Sequence, residues 1–270
     1  MKLLWATDIH LDSASTQSRT AFIDSINQGA VDKVLITGDI ATGTTILTEL
    51  EWLSQNINAP LYFVLGNHDY YGSSIEIVRK QVSQWSHTQP HTHWLDESGY
   101  CRLPETRILI GDGGWGDARN GDFLATPVRL NDHRYIKELT GLERHLLQQK
   151  LQRLGSEAQQ RLDDKLHEVF ASPDAASLTE IIVATHVPPF PESAWYMGYS
   201  GAVDWIPDFT CKAIGDLLLE FAAKHSDIQW TVLCGHGHHR GMVNMRENLI
   251  VHTGAAEYGM PSIERTLLVD

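Results

Sequence analysis

Five short apolar runs, at Lys2 to Thr7, Lys33 to Thr37, Leu61 to Leu65, Ile181 to Thr185 and Thr231 to Cys234, are followed at once, or after one glycine, by Asp, Asn or His. Runs of four to six β-prone residues bounded by polar or glycine-containing segments read as strands buried on both faces. Helix-period stretches follow the first three runs, at Arg19 to Gln28, Ile46 to Gln55 and Ile75 to Trp85. A fourth, Cys211 to Lys224, carries Ala213, Ile214, Leu217, Leu218, Phe221 and Ala222 on one face. Strand alternating with helix requires crossover connections and a largely parallel sheet. In such a sheet the C-terminal strand ends open onto one edge, where ligands bind. The polar residues after these strands are therefore brought to a common edge.

After about Gly235 the pattern changes to strands without helices, in "GMVNMRE", "NLIVHTG" and "ERTLLVD", which predicts a meander in an additional sheet region. A two-sheet sandwich flanked by helices accommodates both halves. Residues 130–172 interrupt the strand series as a helical insertion or cap, read as two helices with a break near Gly155, with packing or a substrate lid as its role. With 270 residues and 42% hydrophobic content, one domain over 1–270 can bury a sizeable core.

The formal net charge of −13, from 34 acidic and 21 basic residues, gives no long-range attraction for a nucleic-acid backbone or an anionic membrane. Long nucleic acid is thus not the expected partner. Cys101, Cys211 and Cys234 lack the spacing of a disulfide framework or a zinc knuckle, and a reducing, cytoplasmic setting is expected. In "MKLLWATDIHLD" the apolar run is cut by Asp8 too soon for a signal segment or a membrane span.

Asp8 and His10 follow the first strand, Asp39 the second, Asn67 and His68 the third, His186 a later one, and His236 and His238 the next. Carboxylate, amide and imidazole donors of this kind suit borderline divalent metals such as manganese, iron or zinc. Asp8-x-His10 alone reads equally as a capped turn, and His186 before "VPPF" as a loop residue. In "GHGH", two imidazoles separated by one glycine point the same way if the backbone is extended. The recurrence at strand ends is what favours metal binding.

Together the blocks "TDIH", "TGDI", "GNHD", "THVPP" and "GHGH" resemble the signature of the calcineurin-like metallophosphoesterase superfamily. They run from Asp8 to His238, while the segment from about Trp94 to Ala176 carries none of them. The resemblance implies a four-layer α/β/β/α sandwich of the metallo-dependent phosphatase-like type and two divalent ions. It implies that Asp8, His10 and His238 bind one ion, that Asn67, His186 and His236 bind the other, and that Asp39 bridges both. It places His68 over the substrate, where in protonated form it helps the leaving oxygen depart, with Asp69 as its orienting partner.

The implied activity is phosphate-ester hydrolysis by in-line attack of a metal-bridging hydroxide, because two cations neutralise the ester's charge and acidify a shared water. Phosphodiesters are favoured, and the substrate is a small phosphate ester, nucleotides being within reach. The alternatives are a phosphomonoesterase such as a protein phosphatase, and a non-catalytic scaffold on the same fold.

Further candidates for substrate contact are Trp115 and Arg119 in the glycine-rich "GDGGWGDARNGD", and Trp195 with Tyr196 and Tyr199 in "FPESAWYMGYSG". Arg119 would clamp a phosphate oxygen, and the tryptophans would wall the pocket; a solvated turn and packing against the insertion are the competing readings. His87, His91 and His93 lie in a proline-containing connection without a suitably spaced carboxylate. His239 should face away from His238, and His252 reads as structural.

Overall fold

The computed structural model describes residues 1–104, 106–173, 175–200 and 203–269. In chain order the strands and helices are β1 Lys2–Ala6, α1 Thr16–Gln28, β2 Lys33–Thr37, α2 Ile46–Asn56, β3 Leu61–Val64, α3 Ile75–Ser86, β4 Thr92–Trp94, β5 Cys101–Leu103 and β6 Arg107–Gly111. They continue as α4 Asp132–Tyr135, α5 Arg144–Ala171, β7 Glu180–Ala184, β8 Trp195–Tyr196, β9 Tyr199–Ser200, α6 Ile206–Phe209 and α7 Lys212–Lys224, then β10 Gln229–Cys234, β11 Gly241–Arg246, β12 Leu249–Thr253 and β13 Arg265–Leu268.

One sheet has the order β13-β1-β2-β3-β4 and a second the order β11-β12-β10-β7-β6-β5. β1 to β4 are mutually parallel, as are β6, β7, β10 and β12. Alternate side chains of β1 explain the layering: Leu4 and Ala6 enter a core with α1 and α2, while Leu3 and Trp5 enter a core with Leu109, Ile182 and Leu233 of the second sheet. A third core packs the outer face of the second sheet against α5 and α7. The result is the four-layer α/β/β/α sandwich. Local signals fix the helix starts: the side chains of Ser15 and Ser74 accept the Ser18 and Ile77 amides at 3.1 Å, as N-caps do.

Three sequence expectations need correction. The two helices with a break near Gly155 are one continuous helix, α5, and Gly155 lies where a loop crosses it. A Cβ there would stand 2.4 Å from Asp117 Cβ, so the absent side chain admits the loop and does not end the helix. α5 itself packs into the body of the fold: Leu147, Leu151 and Leu154 join the first core while Ala158, Leu162, Leu166 and Val169 join the third. Its buried Lys165 donates to the carbonyls of Leu95, Asp96 and Gly111, tying it to the sheet.

The expected meander is the second correction. β11 and β12 form an antiparallel hairpin in the second sheet, but β13 returns to the first sheet and pairs antiparallel with β1. That pairing covers the otherwise open edge of β1. Third, His93 lies in β4, outside any irregular connection, and its ring stacks on Tyr62 with centroids 4.7 Å apart. Among the described residues no helix is long and apolar enough to cross a membrane.

Candidate metal centre

The loops leaving β1 and β2 remain paired beyond the strands: Asp8 N donates to Gly38 O at 3.0 Å and His10 N to Asp39 O at 3.0 Å. Both chains then turn through left-handed backbone. Of eight non-glycine residues with positive φ among the described residues, five are Asp8, His10, Asp39, His236 and His238, at φ between 39° and 70°. Such conformations are costly for side-chain-bearing residues and persist only where the surroundings impose them, as at functional sites. Glycines make room beside them. A Cβ on Gly66 would lie 2.1 Å from Asp39 Oδ1, and one on Gly235 would lie 2.0 Å from Asp8 Oδ2.

Two groups of donors result, and they share one residue. Donor atoms of Asp8, His10, Asp39 and His238 lie within 4.8 Å of one another, and so do those of Asp39, His186 and His236. His10 Nε2 is 3.1 Å from His238 Nε2, and His238 Nε2 is 3.4 Å from Asp8 Oδ1. The Asp8 carboxylate is held by the Thr7 hydroxyl at 2.6 Å and the His236 amide at 3.1 Å.

On the other side, His186 Nδ1 donates to Thr37 O at 2.9 Å, which leaves Nε2 without a proton. Asn67 Nδ2 donates to Asp132 Oδ1 at 2.8 Å, which turns Asn67 Oδ1 inward to 3.0 Å from that bare Nε2. Asp39 Oδ1 is 3.3 Å from the same nitrogen. Three acceptor atoms thus converge, an arrangement that a cation satisfies.

The electrostatics agree. Burial, with Asp8 and Asp69 nearby, pushes Asp39 well above the usual carboxylate range, so its anion needs positive charge beside it. Burial lowers His186 and His236, and lowers His10 to about 3, leaving neutral imidazoles, the form that binds metals. The residues present therefore fit divalent ions.

His68 stands at the edge of this cluster, its Nε2 3.9 Å from Asp39 Oδ2 and its ring stacked on Tyr71 at 4.2 Å. Burial, with His186 nearby, lowers its pKa to about 4, which opposes the protonated form expected of it. Asp69 does not orient it. The Asp69 carboxylate accepts the amides of Ile40, Ala41 and Gly66, each at 2.8 Å, and so clamps the β2 and β3 loops together.

The cluster forms one wall of a cavity of about 370 Å³ that is lined by Asp39, Asn67, His68, His236 and His238 and by Trp195. Trp115 and Arg119 do not line it. Trp115 is buried against Tyr70, at 5.6 Å, and the Arg119 guanidinium is engaged by Asp117 Oδ2 at 2.9 Å and Ser156 Oγ at 2.7 Å. A glycine-rich loop beside a strand end looked like a substrate loop, but its arginine has intramolecular partners. His239 packs edge-on against Tyr196, away from the donors, and His252 Nδ1 lies 3.4 Å from Arg265 Nη1.

Three residues beside the site escaped sequence reasoning: Asp132, Phe209 and Tyr258. Tyr258 lies over His10, with centroids 4.4 Å apart, and Phe209 over His236, at 4.3 Å. "GAAEYG" after β12 places Tyr258 four residues past its glycine, outside the pattern of a strand followed by a glycine and a donor, so no signal marked it. Asp132 lies far from any strand end and had none.

Two facing sheets with outer helices, and a carboxylate-imidazole cluster across their strand ends, define a protein of the metallo-dependent phosphatase-like class. The chain belongs to the calcineurin-like phosphoesterase family, whose model matches residues 1–240. Its fold is similar to that of a phosphopantetheinyl hydrolase from Mycobacterium tuberculosis, at 11% identity and a TM-score of 0.68, covering 96% of this chain and 90% of that one. It is similar also to a dimetal phosphatase from Danio rerio, at 13% identity and a TM-score of 0.58, covering 98% and 91%. A comparison with curated proteins finds no match.

Proposed function

We propose that the protein is a dinuclear metal-dependent phosphoesterase that favours phosphodiesters. Asp8, His10 and His238 would hold one divalent ion, Asn67, His186 and His236 the other, and Asp39 would contact both; manganese, iron and zinc suit this donor set. When bound, the ions neutralise phosphate charge and make water nucleophilic at neutral pH. The chain supplies the rest. His68 N holds Asp39 Oδ1 at 2.9 Å, fixing the shared carboxylate. The His68 imidazole, on the cavity wall, would donate a hydrogen bond to the leaving oxygen and stabilise its developing charge. Tyr258, over His10, limits the approach of bulk water.

One observation carries the diester preference: among the described residues no Lys or Arg lines the cavity. A diester has one negative charge on the phosphate and a monoester close to two, so a site without additional cations suits the diester. Three free cysteines support a reducing compartment, the cytoplasm, as the place of action.

The test is hydrolysis of bis-p-nitrophenyl phosphate against p-nitrophenyl phosphate by metal-stripped protein given manganese back, beside His68→Ala. The expected result is manganese-dependent diester preference, with the variant slower by roughly 10²–10⁴-fold on poor leaving groups. Monoester preference would make the protein a phosphomonoesterase, and two bound metals without turnover would favour the scaffold.

A further inference from the structure

We infer that the substrate's ester group is an uncharged planar ring, and that the cavity rejects phosphodiesters carrying a second anionic group. The inference rests on the phosphoesterase reading and narrows its substrate class.

Away from the metal donors the cavity is walled by Tyr71, Trp195, Tyr196, Trp205, Phe209 and Tyr258. These rings are held in place and continue from the site itself. Phe209 lies between Trp205, edge-on at 5.5 Å, and His236. Trp195 lies flush on the backbone of Gly241, where an added Cβ would stand 2.1 Å from the indole. A group esterified to a phosphate at the donors would meet aromatic faces directly, and such faces favour planar rings through stacking. At the mouth Tyr196 and Trp205 remain 54% and 46% exposed, so the wall extends outward as apolar surface.

Charge supplies the exclusion. Among the described residues the carboxylates lining the cavity are Asp39 and Asp132, and apart from His68 and the donor histidines no basic side chain joins them. The two cations would answer one phosphate. A second phosphate or a carboxylate would be desolvated against aromatic rings with no counter-charge, which is strongly unfavourable. A volume of about 370 Å³ suits a nucleoside or aryl group.

The experiment uses the full manganese-loaded chain and two substrates that share a leaving group, thymidine 5′-(4-nitrophenyl phosphate) and the same ester with a 3′-phosphate. The singly charged ester is expected to show a kcat/KM at least about tenfold higher. Trp195→Ala and Trp205→Ala are each expected to raise its KM about tenfold while the metal content per chain is unchanged, a readout that separates ring contact from collapse of the site. Equal or faster turnover of the 3′-phosphorylated ester, or unchanged KM in both variants, overturns the inference while leaving the phosphoesterase reading intact. If neither ester is hydrolysed, tryptophan quenching on titration with the same pair decides: tighter binding of the singly charged ester supports the inference, and no preference overturns it. Failure of the phosphoesterase reading shows separately, as no manganese-dependent turnover of bis-p-nitrophenyl phosphate.

Discussion

Asp132 holds the Asn67 amide by its nitrogen, at 2.8 Å, and thereby decides that the amide oxygen faces His186. Tyr71 Oη donates to the same Asp132 oxygen at 2.6 Å, so the ring under His68 and the amide beside His186 share one anchor. Partners of this kind commonly contribute one to two orders of magnitude in metal affinity. Asp132→Ala is expected to weaken manganese binding about 10–100-fold, and Asp132→Asn to recover part of it, read by calorimetric titration of the stripped protein. Unchanged affinity in the alanine variant would show that Asn67 needs no anchor.

The glycines beside the carboxylates make a paired prediction. Gly66→Ala places a methyl group on Asp39 Oδ1 and within 2.8 Å of His186 Nε2, whereas Gly235→Ala places one on Asp8 Oδ2. The first should impair both donor groups, because Asp39 belongs to each, and the second chiefly the group containing Asp8. Metal stoichiometry by plasma mass spectrometry after dialysis checks this. Two tightly held ions in Gly66→Ala would contradict it.

Asp69 is expected to act on stability first. Asp69→Ala strips the acceptor from three buried amides, and at roughly 1–3 kcal/mol for an unsatisfied buried group it should lower the midpoint of urea unfolding markedly. If Asp69 instead oriented His68, the variant would keep its midpoint and lose activity selectively on poor leaving groups.

Alanine at a mid-helix glycine ordinarily stabilises by about 1 kcal/mol. At Gly155 the sign should reverse, since the new Cβ meets Asp117, whose buried carboxylate accepts the Ala213 amide at 2.9 Å and binds Arg119. Thermal unfolding of Gly155→Ala should show a lowered midpoint; a raised one would mean that the loop yields easily.

β1 to β3, the crossover helices and the strand-end donors were legible because each is announced locally, by an apolar run, a 3.6-residue period or a polar residue after a glycine. What escaped is non-local. Whether Arg119 is free depends on Asp117 and Ser156, and the latter is contributed by a helix 37 positions away. Gly155 looked like a break because local propensity sees one chain, whereas the loop that needs the gap comes from elsewhere. Asp132 reaches Asn67 across 65 residues, and no spacing rule announces such a meeting.

The return of β13 to the first sheet also has a bearing on time. Met1 N and Val269 O meet at 2.9 Å across a separation of 268 positions, about as non-local as a contact in this chain can be. Until that far segment arrives, β1 is a strand with one bare edge, open to pairing with other chains. The connection that brings β13 across is the one that lays Tyr258 over His10. Sealing the sheet and roofing the cavity are thus carried by one connection, so the edge of β1 and the cavity mouth take shape together.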